Sequence, residues 1–434
     1  MRKLKVTCVG PITKTATIEY NRFCILIGPQ SNGKSTIAKI LSTCLWLEKE
    51  ACTSLSENIL EDGEAFRKLL EDFHRMHGYI NPEKSYISYE SPYIEIEYNK
   101  GNFSMSFKDN LEYNRLKISY VPSDRNVVTM KDIEKRDLEP TNFRSFLFDW
   151  LETNRNYNQE HKAPILNLNI QYYYNETAKD RKDMLTHENG ITYDIPLYDA
   201  SSGMQSLVPM TVLMHYLVSG YFKNYGKDKS FEQQQKAIEL AGAIAKIITE
   251  KYYPESVSSQ NYKDIFLSEI KSKADEHDKS AIEKLNEMKK LFSRLVNPQS
   301  ISFILEEPEQ NLFPKTQVEL FNDIISLCEG EHKSSVFITT HSPYILSAAN
   351  ILLFAGKLIE QGVDADEIAN AIKTKTVINT ADFSAYSVSD GTCTSIIDEK
   401  THLIKENELD SASDYNADVF DTLYKKFVNS LQRQ

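Results

Sequence analysis

The sequence predicts a mixed α/β protein organised around a partly parallel sheet, on three observations. An unbroken apolar run from Phe23 to Ile27 leads into the glycine-bearing loop GPQSNGKST and then a helical pattern; the run ISFIL ends at two carboxylates, Glu306 and Glu307; and SVFITT ends at His341. Short runs this apolar belong to strands covered on both faces, as in parallel sheets. Ahead of them, residues 3 to 9 and 15 to 20 are β-rich and separated by Gly10-Pro11, which predicts an antiparallel hairpin. IAKILSTCLWLEKE then repeats apolar residues at helical spacing, and residues 51 to 80 read as helical and acidic. From Tyr86 to Phe107, aromatic or branched residues alternate with polar ones, as in two or three antiparallel strands, and LKISYVP is a further strand closed by Pro122. Residues 131 to 190 form a polar, aromatic-rich excursion without a clean period. DASSGMQS precedes an apolar helix over Leu207 to Tyr221, and Lys223 to Val296 has the spacing of a helical pair or short coiled coil. Beyond Leu353, short helices and strands alternate.

Composition narrows the function. The chain has 434 residues, 41% of them hydrophobic, and a formal net charge of -12, which disfavours constitutive DNA coating while leaving room for a local basic groove. The six cysteines (Cys8, Cys24, Cys44, Cys52, Cys328 and Cys393) form no CxxC pair, so neither a zinc ribbon nor a disulfide framework is expected, in keeping with a cytoplasmic setting. We expect a chain that neither spans nor enters a membrane.

Four segments carry chemistry. Gly28, Gly33, Lys34 and Ser35 satisfy GxxxxGK[ST] between a predicted strand and a predicted helix, the context that makes the pattern meaningful. Backbone N–H groups across Gly28, Pro29, Gln30, Ser31, Asn32, Gly33, Lys34, Ser35 and Thr36 would close around phosphates, Lys34 would reach the β and γ oxygens, and Ser35 would ligate Mg2+. An ATP site also needs a metal-shell carboxylate and a water-activating one; FILEEPEQNLFP offers Glu306 for the first and Glu307 for the second. Because Glu306 is longer than the commoner aspartate, its metal contact is expected through water. His341, at the end of the next strand, is placed to sense the γ-phosphate. Ser202, Gly203 and Gln205, in SSGMQS ahead of a helix, form an anion site of the helix-N-terminus kind. His74 and His77 read as surface histidines, and the tyrosines between Tyr86 and Tyr120 read as packing residues rather than base-stacking ones.

In this order the four segments resemble the P-loop, signature, carboxylate and histidine motifs of the ATP-binding-cassette and SMC class, in which the signature contacts the nucleotide held by the opposite subunit. The resemblance implies ATP and Mg2+ as ligands and a homodimer or higher homo-oligomer. GPQSNGKST, YVPSDR, SSGMQS, ILEEPEQNLFP and THSPYIL together resemble the bacterial OLD-type and RecF-like ATPases. Many of these serve in anti-phage systems such as Septu, the retron-associated ATPases and PARIS. That implies a sensor or scaffold subunit controlling a separate effector protein; the alternative is a DNA-repair or chromosome-maintenance ATPase, which adds a DNA contact. The family's metal-sensing glutamine is not recognisable, which leaves Ser123, Asp124 or Arg125 for that role. The long stretch between Gln205 and Phe303 argues against a transporter subunit. Asp390, Asp398 and Asp418 are spaced like loop acids, so an internal nuclease is not expected. The predicted organisation is an N-terminal part of the head with the β-lobe (1–130), an insertion (131–195), the signature helix (196–222), a helical insertion (223–297) and a C-terminal part of the head (298–434).

Overall fold

A computed structural model describes residues 1–108, 112–179, 182–188, 190–226, 231–254, 261–405 and 418–426. Its centre is a six-stranded sheet in the order Thr392–Ser395, Phe383–Ser389, Phe23–Ile27, Ser335–Thr339, Ser300–Glu306 and Leu116–Val121. All neighbours run parallel except the first pair. The unbroken apolar runs follow from what covers the sheet. Phe23, Ile25, Ile27, Phe303, Leu305 and Ile338 face one core, while Cys24, Leu26, Ile304 and Phe337 face another, so these central apolar runs are covered on both faces. Fully burying one such aliphatic side chain stabilises the fold by roughly 1.5–3 kcal/mol.

One face is covered by the helix Lys34–Ser54 and, beyond it, by a five-stranded antiparallel lobe ordered Ala16–Tyr20, Arg2–Thr7, Tyr86–Glu90, Ile94–Asn99, Asn102–Phe107. The expected hairpin at the N-terminus is present, in register Leu4 to Ile18. Ile94–Asn99 alternates buried and exposed residues, as a strand with one wet face must. Buried Glu48 holds the lobe to the helix, accepting from Arg2 at 2.8 Å and from the Tyr89 hydroxyl at 2.6 Å. The helices Phe231–Tyr252 and Lys279–Val296 pack together, as the charged apolar-periodic stretch predicted, and place Leu240, Ile244, Ile248 and Leu295 in the core over the Lys34–Ser54 helix.

The other face carries the helices Ser202–Tyr216, Pro314–Cys328 and Pro343–Glu360. The first of these starts at Ser202, five residues earlier than the apolar pattern suggested, with Ser201 as its N-cap, and ends in a π-turn over Leu217–Tyr221. Residues 131–190, which show no clean period as sequence, hold the helix Asn142–Asn154 and three strands of a four-stranded antiparallel sheet. Phe143, Phe146, Leu147 and Trp150 do recur at helical spacing, but the strands after them are too short to show alternation. Trp150, Tyr172, Leu185 and Leu197 share one apolar core with Leu207 and Leu213 of the signature helix. Among the described residues, Pro343–Glu360 is long and apolar enough by composition to cross a membrane, and its Ile345, Ala349, Leu352 and Leu353 side is buried in the core.

Candidate functional site

Strand register builds the site. Glu306 pairs with Thr339 and Thr339 with Leu26, so three adjacent parallel strands end at the same edge of the sheet. The segments beyond those ends are stitched together: the Glu307 N–H donates to the Thr339 carbonyl at 2.8 Å and the Thr340 N–H to the Leu26 carbonyl at 2.9 Å. The glycine loop, Glu307 and His341 therefore leave the sheet side by side.

The loop can be built only with glycine at its two fixed points. Gly28 has φ +136°, and a Cβ there would sit 2.2 Å from the Val388 carbonyl oxygen; Gly33 has φ +101°, and a Cβ would meet Ile12 Cδ1 at 2.6 Å. Ser31 also lies in the left-handed region, at φ +63°. No side chain caps the Lys34–Ser54 helix, so the N–H groups of its first turn, which lack intrahelical acceptors, are open to an anion. Lys34 is buried, and its Nζ donates to the Gly28 and Pro29 carbonyls at 2.8 Å each. Burial lowers its pKa, opposed by the charges of Glu307 and Glu309. These groups form a cradle that fits a polyphosphate.

Glu306 is buried, with Oε1 accepting from the Tyr120 hydroxyl at 2.7 Å and Oε2 from the Ser123 N–H at 3.2 Å. Burial, followed by the charge of Glu306, pushes the Tyr120 pKa well up, so the phenol stays a donor. Glu306 and the Ser35 hydroxyl carry hard oxygen atoms of the kind that would suit Mg2+. Glu307 occupies the left-handed region at φ +43°, a conformation a non-glycine residue holds only when its surroundings impose it. Its Oε1 lies 3.5 Å from His341 Nε2, long for a hydrogen bond. That neighbour is the main reason its pKa is lowered, against the opposing effect of burial.

Glu309 is a site residue that sequence reasoning left unassigned. Its Oε1 accepts from the Thr340 hydroxyl and from the His341 N–H, both at 2.7 Å, so it fixes the backbone that presents the histidine. Burial raises its pKa, offset by those two donors, and its Oε2 is buried without a partner. Arg125 is corrected from candidate metal sensor to internal clamp. It is fully buried and donates to the carbonyls of Ser206, Pro122, Glu306, Glu307 and Pro308 at 2.9–3.4 Å, tying the signature helix to the carboxylate strand. Burial lowers its pKa to about 10, still well above neutrality. Asp124 pairs with Arg75 at 3.3 Å.

The signature hydroxyls, Ser201 and Ser202, are exposed at the start of their helix. Gly203 lets that helix approach the loop after Glu307: a Cβ there would sit 2.7 Å from the Asn311 carbonyl oxygen. Gln205 turns its amide inward, donating to the Tyr198 and Ala200 carbonyls at 2.6 and 3.0 Å, and so braces the loop that precedes Ser201. Phe313 and Tyr344, which follow the Glu307 and His341 segments, are 74% and 45% exposed.

The surface reading of His74 is overturned. His77 is exposed, but His74 is buried between Phe73 and Tyr120, and burial takes its pKa down to about 3, with Lys39 adding to the effect. Tyr89, Tyr98, Tyr113 and Tyr120 are buried packing residues. Among the described residues, no group of three or more His, Cys, Asp or Glu side chains could hold a metal ion, so Asp390, Asp398 and Asp418 do not assemble into one.

No protein-family model and no curated protein matches the chain. Among solved structures it is similar to the SMC head domain from Thermotoga maritima, with 9% identity over 91% of this chain and 97% of that one and a TM-score of 0.35. It is also similar to the recombination mediator protein RecF (12% identity, 91% and 97% coverage, TM-score 0.30) and to a dimeric ATP-binding cassette bound to ADP and Pi (12%, 79% and 89%, TM-score 0.22). The fold assignment rests on the chain's own strand order and loop: an α/β P-loop fold of the ATP-binding-cassette kind, with an antiparallel lobe and helical insertions.

Proposed function

We propose that the chain is an ATP-hydrolysing enzyme whose heads pair as a dimer or higher homo-oligomer. The observation that carries this reading is the meeting of Lys34, Glu306, Glu307 and His341 at the ends of three adjacent parallel strands. The β and γ phosphates fit Lys34 and the open first-turn N–H groups. Mg2+, when held by Ser35 and through water by Glu306, supplies neutralising charge to the phosphates. Glu307 is ionised at neutral pH and accepts a proton from the attacking water. His341 orients that carboxylate and faces the γ-phosphate position. Ser202 and the Gly203 N–H act on the nucleotide of the opposite protomer, where exposed Phe313 and Tyr344 add apolar contact.

Light-scattering mass of Glu307→Gln with and without Mg-ATP tests the pairing. Nucleotide-dependent growth, or a constitutive oligomer that tightens, supports it; a monomer in both conditions removes the role of Ser202 and Gly203. On the motif resemblance, we further place the protein as the sensor or scaffold subunit of a bacterial anti-phage system acting on a separate effector. Unchanged phage sensitivity after deleting the gene, with its neighbours intact, would sink that role. DNA-stimulated turnover that falls steeply with salt would favour repair or chromosome maintenance instead.

A further inference from the structure

Among the described residues, two apolar helix faces stand uncovered. The first lies on the helix Pro343–Glu360, where Tyr344, Ser347, Ile351 and Phe354 are exposed while the opposite side is buried. Their helical spacing aligns these four residues along one face. Ile351 and Phe354 are 50% and 49% exposed, and no other described helix of the body exposes three large apolar side chains. The small Ser347 leaves a hollow between Tyr344 and Ile351. The second face belongs to the helix at 418–426, in which the Thr422 hydroxyl donates to the Asp418 carbonyl and the rings of Phe420 and Tyr424 stack 6.3 Å apart. Val419, Phe420, Leu423 and Tyr424 share its apolar side and are 38–67% exposed. Isolated helices shorter than about 12–15 residues are marginal in water, so this short one needs a surface to pack on.

The chain between them leaves the body beside the first face. The Ile404 N–H donates to Asn350 Oδ1 at 2.9 Å, the Ile404 carbonyl accepts from Asn350 Nδ2 at 3.3 Å, and Lys357 donates to the Thr401 carbonyl at 2.6 Å. Residues 406–417, outside the described ones, can span at most about 40 Å when extended. The stripe from Tyr344 to Phe354 is only about 15 Å long. Reach is therefore ample, yet in one chain both faces are left exposed.

We propose that the helix at 418–426 packs on the Tyr344–Phe354 face of a second copy of the chain, and that the second copy returns the same contact. Such an exchange is self-complementary and closes with two-fold symmetry. One partner then covers both faces, whereas a separate protein would have to supply a complement to each. Phe420 and Leu423 reach the hollow at Ser347, between Tyr344 and Ile351. Tyr344 follows His341 closely in the chain, so the contact continues the surface on which the heads are proposed to pair, but it requires no nucleotide.

Cross-linking between copies tests the exchange. Cys8→Ser and Cys393→Ser remove the two part-exposed thiols, the other four being buried. In that full-length background a tagged chain carrying Ser347→Cys is mixed, without nucleotide, with an untagged chain carrying Val419→Cys, and a short bismaleimide is added. A product of one tagged and one untagged chain should form, and form equally when both chains carry Lys34→Ala. Phe420→Glu with Leu423→Glu on the second chain, or Ile351→Glu on the first, should cut its yield about tenfold, since each puts a charge into the apolar contact. All three positions are exposed, so these changes leave the core of each chain intact. No mixed product overturns the proposal. So does cross-linking seen only inside a chain that carries both cysteines, which would place the helix on its own body, or a yield that the glutamates leave unchanged. A product that appears only with Mg-ATP also overturns it, because head pairing alone would then bring the copies together. As Lys34→Ala disables the nucleotide site, failure here and failure of the ATPase reading are distinguishable.

Discussion

The strand-end site and the inserted region handle buried polar groups in different ways. At the strand ends both oxygens of Glu306 and the guanidinium of Arg125 are bonded within the chain. In the insertion Trp150 Nε1, Thr153 Oγ1 and Asn154 Oδ1 are buried without partners. A fully bonded shell holds its catalytic groups in one geometry and needs no ligand to organise it. An unsatisfied one is stable only because the surrounding core outweighs it. Glu309 Oε2 and Thr339 Oγ1 are exceptions at the strand ends, and the first lies beside the groups proposed to act on the γ-phosphate.

Removing the proposed base tests the preorganised side of this contrast most severely. Glu307→Gln keeps size and hydrogen bonding but cannot take a proton, so ATP turnover should fall by about 10²–10⁴-fold while nucleotide binding persists. A drop of only a few-fold, measured by phosphate release, would mean that another group activates water. Arg125→Met comes next. It strips five carbonyls of their donor inside a closed core, and an unfolding midpoint in urea should report a loss of about 3–5 kcal/mol. Arg125→Lys should recover little, because one ammonium cannot span carbonyls that a planar fork reaches together. Near-native stability of Arg125→Met would show that the strand ends do not depend on this clamp.

Much of the fold was legible because its signals are contiguous. The glycine loop follows its strand directly, and the strands ending at Glu306 and Thr339 are predominantly apolar runs, so period and punctuation sufficed. What stayed hidden is what long-range pairing creates. Tyr120 meets Glu306 across 186 positions and Arg125 meets the Glu307 carbonyl across 182, and although YVPSDR stands out as a segment, nothing local says what either residue contacts. Glu309 was in view within EEPEQ, but its partners, Thr340 and His341, lie a helix and a strand away. The insertion was least legible of all, its short strands being selected by packing against Trp150 and Tyr172 rather than by their own alternation.

Glu309 offers the next finest distinction. Glu309→Ala frees the Thr340 hydroxyl and the His341 N–H, letting the histidine drift; turnover should fall about a hundredfold with a smaller change in KM. Glu309→Gln keeps an oxygen acceptor for both and should restore most of the rate. If the two variants were equally slow, the negative charge near Lys34 would matter more than the positioning of His341.

The smallest effect reaches the site from behind. His74 packs 5.4 Å from the Tyr120 ring, and Tyr120 holds Glu306, yet neither ring nitrogen of His74 has a partner. With its pKa taken from 6.5 down to about 3 in the folded chain, the unfolded chain binds the extra proton between those values. Stability is therefore intact above pH 6.5 and declines as pH falls toward 3, with about 2 kcal/mol lost by pH 5. His74→Leu removes this proton linkage, so the stability difference between variant and native protein should shift by that amount in the variant's favour from pH 7.5 to pH 5, read from urea midpoints at the two pH values. A difference that does not change with pH would mean that His74 titrates normally, with water reaching the ring behind Tyr120.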